Sequence, residues 1–119
     1  MLRVLLVDDH ADSRRAIRQL LRARGFEVVA EAYCAETAVA VATALAPDAA
    51  LLDVHLGADD GYDVCSALVA ALPHIAVVLT SSDEASHAAR LVRSAGALGF
   101  VAKARLHNAD LHALFTRAA

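Results

Sequence analysis

The sequence predicts a single α/β domain, a doubly wound (βα)5 arrangement with a parallel sheet between two layers of helices. Two observations carry this. Short runs that are apolar at nearly every position alternate five times with longer stretches whose apolar residues fall at helical spacing. Helix-stopping residues, Gly25, Pro47, Pro73 and Gly96, punctuate the chain where those stretches should end. Strands apolar at every position are buried on both faces, which a parallel sheet covered by helices requires. The 119 residues suit one domain, taken as 1–119, and are enough to bury a core without staples.

The first run is 2–7, interrupted only by Arg3. Ile17, Leu20 and Leu21 then share a helical face. Residues 26–30 form the second run, followed by a helical stripe of Ala38, Val41, Ala42 and Leu45. Residues 49–52 are the third run, and Val64, Leu68 and Leu72 the next stripe. The fourth run, 75–79, is strongly β-branched and precedes the stripe Ala88, Leu91, Val92 and Ala95. The fifth run is 98–102, and Leu111, Leu114 and Phe115 mark a last helix. Asp12 or Ser13, and Ser82 or Asp83, can cap the helices that follow them. No linker, low-complexity segment or longer repeat interrupts the βα rhythm.

Composition narrows the function classes. The hydrophobic fraction is 58%, but 29 residues are alanine, which marks a buried face weakly, so Leu, Ile, Val and Phe carry the argument. The net charge is −3 with no basic run, which gives no electrostatic footprint for nucleic acid; Arg14, Arg15, Arg18 and Arg22 read as a solvated helix face. Cys34 and Cys65 fit neither a CxxC redox pair nor a zinc site and read as buried or half-buried thiols. The six histidines, at 10, 55, 74, 87, 107 and 112, show no metal-ligand spacing and read mostly as surface residues. With no signal peptide and no apolar stretch of spanning length, the expected location is the cytoplasm.

In an open parallel sheet, ligands bind outside the carboxyl ends of the strands. Asp8, Asp9 and His10 follow the first strand and Glu31 the second. Asp53 ends the third, followed by His55. Thr80 ends the fourth, then Ser81 and Ser82. Lys103 follows the fifth. If strands one, three, four and five are neighbours, three carboxylates, a hydroxyl and an ammonium meet on one rim. Carboxylates that close repel one another by several kcal/mol at intermediate dielectric. A divalent cation with oxygen ligands removes the problem, and with few soft ligands nearby Mg²⁺ is the natural choice. A lysine and a hydroxyl beside Asp53 suit an anion added to that carboxylate. The set describes phosphoryl transfer to an aspartate.

Five segments in order, Val7-Asp8-Asp9, Leu51-Leu52-Asp53-Val54, Asp60-Gly61, Val78-Leu79-Thr80-Ser81 and Gly99-Phe100-Val101-Ala102-Lys103, resemble the receiver domains of two-component response regulators. The resemblance covers essentially the whole chain. It implies a flavodoxin-like five-stranded sheet in the order 2-1-3-4-5. It also implies a phosphorylation-dependent signalling switch that catalyses only its own phosphorylation and dephosphorylation. Carried over, Asp53 is the phosphoacceptor. Asp8 and Asp9 hold Mg²⁺, directly or through water, with Asp53 and the backbone carbonyl of His55. Thr80 is the hydroxyl that moves to the phosphoryl group, Lys103 the lysine that pairs with it, and Phe100 the aromatic switch. The implied partners are a sensor histidine kinase or phosphotransfer protein and a second copy of the chain, through helix 4, strand 5 and helix 5. The segments 25–32 and 96–100 resemble receivers of the NarL/LuxR type, which implies DNA contact only through an output domain absent from this chain.

The sequence departs from the family pattern in places. Ala104 stands where receivers usually have a cis-proline, and a cis bond before alanine costs roughly 3 kcal/mol, so a trans bond is expected. Leu56-Gly57 replaces leucine-proline, which predicts a looser loop after Asp53. His55 is unusual beside the phosphoacceptor and, with Ser82, could tune attack by water.

Each residue also has an ordinary structural reading. Asp8 and Asp9 suit a helix N-terminus, Asp53 a turn, Thr80 a strand, Lys103 and His55 the surface, and Phe100 the core. Their coincidence at strand ends outweighs these. A haloacid-dehalogenase-type phosphatase would need an aspartate two residues after the nucleophile, where this chain has His55. No GxGxxG or GxxxxGK[ST] supports a nucleotide or flavin site. A degenerate receiver acting as an unphosphorylated docking module remains the alternative.

Overall fold

The computed structural model describes residues 1–83 and 88–117. Its elements are β1 (Arg3–Val7), α1 (Ala11–Ala23), β2 (Glu27–Ala32), α2 (Ala35–Leu45), β3 (Ala49–Asp53), β4 (His55–Leu56), β5 (Asp59–Asp60), α3 (Gly61–Ala71), β6 (Ala76–Ser81), α4 (Ala89–Ser94), β7 (Gly99–Ala102), a 3-10 helix (Lys103–Asn108) and α5 (Leu111–Phe115). The main sheet is parallel and ordered β2-β1-β3-β6-β7. That is the expected 2-1-3-4-5 once the short β4–β5 hairpin is set apart.

Period-two geometry divides the apolar strands between two cores. Val4, Leu6, Ala49, Leu51 and Val78 face Ile17 and Leu21 of α1 and Leu111 and Phe115 of α5. Leu5, Val7, Ala50, Leu52, Val77 and Leu79 face Ala38 and Ala42 of α2, Val64 and Leu68 of α3, and Val92 of α4. Phe26 and Phe115 meet edge to face on the first side, with ring centroids 5.6 Å apart. The central strands β1, β3 and β6 are buried almost throughout, whereas the edge strands β2 and β7 are mostly half-buried.

The helix stops lie where expected. Gly25 and Gly96 take positive φ just past α1 and α4, and Pro47 and Pro73 follow α2 and α3. Cys34 is half-buried and Cys65 buried, both as free thiols. Burial pushes the Cys65 thiol up to about 12, so it stays protonated. The Lys103–Ala104 bond is trans, like every peptide bond among the described residues.

Several expectations need correction. Leu45 and Leu91, which fall on helical stripes, are 40% and 44% exposed. Asp12 and Ser13 do not cap α1: the N-cap is His10, and Ser13 Oγ instead donates to Asp8. Ser82 and Asp83 do not cap α4, which begins at Ala89. The chain after Asp53 is paired rather than irregular. Gly57, at φ +62°, lets it fold into a hairpin pairing His55 with Asp60 and Leu56 with Asp59. His87 lies outside the described residues.

The hairpin returns the chain so tightly that only glycine fits at the start of α3. A Cβ on Gly61 would lie 2.3 Å from the Asp53 carbonyl oxygen and 2.5 Å from Val54 Cα. Both are backbone atoms and cannot rotate away. Gly61→Ala is expected to destabilise the protein by about 3 kcal/mol through overpacking. Urea denaturation checks this, and an unchanged midpoint would refute the close approach.

Candidate functional site

The strand order brings the carboxyl ends of β1, β3, β6 and β7 to one rim. Asp8 leaves β1, Asp53 ends β3, Thr80 lies opposite Asp53 on β6, and Lys103 leaves β7. The carboxylates of Asp8 and Asp53 are only 1% and 4% exposed. Lys103 Nζ lies 2.7 Å from Asp8 Oδ2 and 2.8 Å from Asp53 Oδ2, so one ammonium bridges two buried carboxylates.

The remaining lone pairs are met locally. Asp8 Oδ1 accepts from the His10 amide at 2.9 Å, and Oδ2 also accepts from Ser13 Oγ at 2.7 Å. Asp53 Oδ1 accepts from the His55 amide at 2.9 Å. Burial acts to raise the pKa of Asp8. The hydrogen bonds from Lys103, Ser13 and the His10 amide outweigh it and hold the carboxyl below its ordinary value. Burial acts to lower the pKa of Lys103, but its bonds to Asp53 and Asp8 and their charges raise it. Lys103 is therefore a fixed cation at neutral pH.

Asp9 is placed differently. Its Oδ1 is buried and accepts no hydrogen bond among the described residues. Asp8, Asp9, His10 and Asp53 each offer a ligand atom, all within 4.8 Å of one another. Buried, hard and partly unsatisfied oxygens converging on one point fit a divalent cation.

The sequence-derived set is thus largely assembled: Asp8, Asp9, Asp53 and Lys103 converge. The hydroxyl of Thr80 does not join them. Its Oγ1 donates to the Val101 carbonyl at 2.6 Å, towards β7. Phe100 is half-buried on β7 against the α2–α3–α4 core. His55 is exposed, and its backbone amide donates to Asp53 Oδ1. Sequence reasoning missed His10, because a histidine without ligand spacing reads as surface. Its place directly after two strand-end acids was the available signal.

The family model described as response regulator receiver domain matches residues 4–116. The chain belongs to that family. This receiver is 42% identical over 107 residues to the DNA-binding transcriptional activator DevR/DosR of Mycobacterium tuberculosis, covering 87% of this chain and 48% of that protein. It is 37% identical over 105 residues to the response regulator GacA of Pseudomonas aeruginosa, covering 87% and 49%. The receiver therefore spans about half the length of these relatives. Among solved structures, a LuxR-family two-component response regulator from Aurantimonas sp. SI85-9A1 matches 100% of the chain and 89% of its own, with 29% identity and a TM-score of 0.87. The signal receiver domain of NarL from Mycobacterium tuberculosis matches 98% of each chain, with 30% identity and a TM-score of 0.78. The NarL/LuxR resemblance of the sequence thus has counterparts among its relatives.

The charge bridge has a pH signature in metal-free buffer. Asp8, with its pKa below 3.8, contributes stability that is present above that value and lost as pH falls through the folded pKa. Lys103, with its pKa above 10.5, contributes stability that is present below that value and lost as pH rises through the folded pKa. Between these limits the bridge adds no slope. Lys103→Met is expected to cost about 3 kcal/mol at neutral pH, because two carboxylates lose their counter-charge. Burial is then the largest remaining influence on Asp8 and acts to raise its pKa, so the variant is expected to gain stability as pH falls from neutral. A urea-denaturation series over that range checks this, and a flat profile for the variant would refute it.

Proposed function

We propose that this receiver is a phosphorylation-controlled switch that accepts a phosphoryl group on Asp53. The observation that carries the proposal is the nearly fully buried Asp53 carboxylate, 2.8 Å from the Lys103 ammonium and clustered with Asp8 and Asp9 at the rim. The donor is the phosphohistidine of a sensor histidine kinase or a phosphotransfer protein. An Asp53 carboxylate oxygen attacks the phosphorus. The new O–P bond forms as the N–P bond breaks, and the imidazole leaves with its electron pair and takes up a proton. Hydrolysis of the acyl phosphate by water returns Asp53 and inorganic phosphate. The chain thus catalyses steps on itself rather than on a released substrate.

Lys103 is placed to pair with the added phosphoryl oxygens, and its fixed charge offsets the negative charge that accumulates beside Asp8. Mg²⁺, held by Asp8, Asp9, Asp53 and the His55 carbonyl, supplies further charge neutralisation when bound. Thr80 gives up its bond to Val101 and donates to the phosphoryl group, and Phe100 turns into the space released on β7. The surface so altered is that of α4, β7 and α5, and a second copy docking there is one output. DNA contact, as the name of the DevR/DosR relative suggests, belongs to a separate output domain outside this receiver. No helix among the described residues is long and apolar enough to cross a membrane.

Incubation with acetyl phosphate and Mg²⁺, followed by intact-mass spectrometry, tests the proposal. The expected result is a gain of one phosphoryl group that requires Mg²⁺ and is absent in Asp53→Asn. No gain under conditions that modify another receiver would overturn it in favour of an unphosphorylated docking module. Sedimentation velocity of the modified protein is expected to show a dimer. Identical sedimentation before and after modification would remove the self-association step.

A further inference from the structure

The two consecutive acids of β5 serve two different helices. Successive side chains of a strand point to opposite faces. Asp60 Oδ1 accepts from the Tyr62 amide at 2.8 Å and caps α3, the helix that follows it directly. Asp59 Oδ2 accepts from the Ala35 amide at 2.9 Å, the first amide of α2, 24 residues away in sequence. The first amides of a helix have no partner within it and need an outside acceptor. The N-cap residue of α2, Cys34, supplies none with its side chain, and its sulfur lies 3.2 Å from Thr37 Oγ1 instead.

The hairpin that carries Asp59 is small. β4 and β5 are two residues each, paired through His55 with Asp60 and Leu56 with Asp59. A two-stranded hairpin is marginal alone, so its shape depends on what anchors it. β4 is anchored by Leu56, buried in the α2–α3–α4 core, and by the His55 amide on Asp53 Oδ1. Asp59 anchors the facing strand to a separate element, α2.

We infer that Asp59 is a positioning residue for the cation centre. By tying the hairpin to α2 it fixes the His55 peptide, whose amide meets Asp53 and whose carbonyl is the backbone ligand of the proposed function. The inference rests on that reading of Asp8, Asp9, Asp53 and the His55 carbonyl as the cation site. Asp59 acts through the backbone and not as a ligand: its carboxylate is engaged on α2, and it stands outside the convergent group Asp8, Asp9, His10 and Asp53. Groups that orient a metal ligand without touching the ion set affinity, because a ligand held off its best position binds less well.

Calorimetric titration of the whole chain with Mg²⁺ tests this, using wild type, Asp59→Ala, Asp59→Asn, Ala35→Pro and Asp48→Ala. Asparagine keeps an acceptor oxygen and caps helices as well as aspartate does, so it separates the hydrogen bond from the charge. Proline at the first helical position is well tolerated, so Ala35→Pro deletes the donor and leaves the Asp59 charge in place. Asp48 Oδ2 accepts from the Arg3 amide at 2.9 Å across 45 residues, at the amino ends of β1 and β3. Asp48→Ala therefore removes a similar tether and the same charge at the end of the sheet away from the site. Asp59→Ala and Ala35→Pro are each expected to weaken Mg²⁺ by about tenfold, the lower end of what loss of an outer-shell partner costs. Asp59→Asn should restore most of the affinity, and Asp48→Ala should leave it unchanged. In metal-free buffer, hydrogen exchange at the His55 amide should quicken in Asp59→Ala and Ala35→Pro but not in Asp59→Asn. Magnesium bound by Asp59→Ala or Ala35→Pro as tightly as by wild type overturns the inference. Equal weakening in Asp59→Asn overturns it in favour of charge alone, and equal weakening in Asp48→Ala in favour of general destabilisation. Magnesium that fails to bind wild type overturns the cation site itself, and the inference with it.

Discussion

The rest of the structure depends on keeping two carboxylates, Asp8 and Asp53, side by side and nearly out of water. Parallel pairing of β1 with β3 brings their strand ends together, and burial removes the solvent that would screen them. Lys103 resolves the conflict from the far edge of the sheet. It is 95 residues from Asp8 in sequence, so the bridge ties the start of the fold to the end of its last strand. The strand order places that lysine, and the charge of that lysine allows the order to bring acids together.

Much of this was legible in the residues. Continuous apolar runs at 2–7, 49–52 and 75–79 can be buried only between two helical layers, and they are. Strand-end acids needed only the parallel order to become a cluster. What escaped was tertiary or purely local in origin. Leu45 and Leu91 satisfy a helical stripe yet stay exposed, because periodicity does not report which positions a neighbouring layer covers. The hairpin after Asp53 depends on a single positive φ at Gly57, and glycine announces freedom without saying how it is used. Ser13 resembled a helix cap because capping and carboxylate binding use the same hydroxyl.

His10 shows the same ambiguity. Linear spacing identifies ligand sets built on one helix or one loop. Here the carboxylates come from two strands, and only the folded sheet brings Asp53 to the imbalance left at Asp9. The signal was adjacency to a strand end rather than a repeat distance between ligands.

The missing side chain at Gly61 divides the rim into unequal halves. On one flank, the first peptide of α3 rests directly on the backbone of Asp53 and Val54, and the Gly61 amide donates to the Val54 carbonyl at 2.7 Å. On the other flank, the Thr80 side chain is tied by its hydrogen bond to the Val101 carbonyl. Such a bond is worth roughly 1 kcal/mol net. The first flank is closed by backbone against backbone, and the second by a side-chain hydrogen bond beside the β6–β7 ladder. A larger group at Asp53 would find no room towards α3, so the space it needs lies on the β7 side or in solvent.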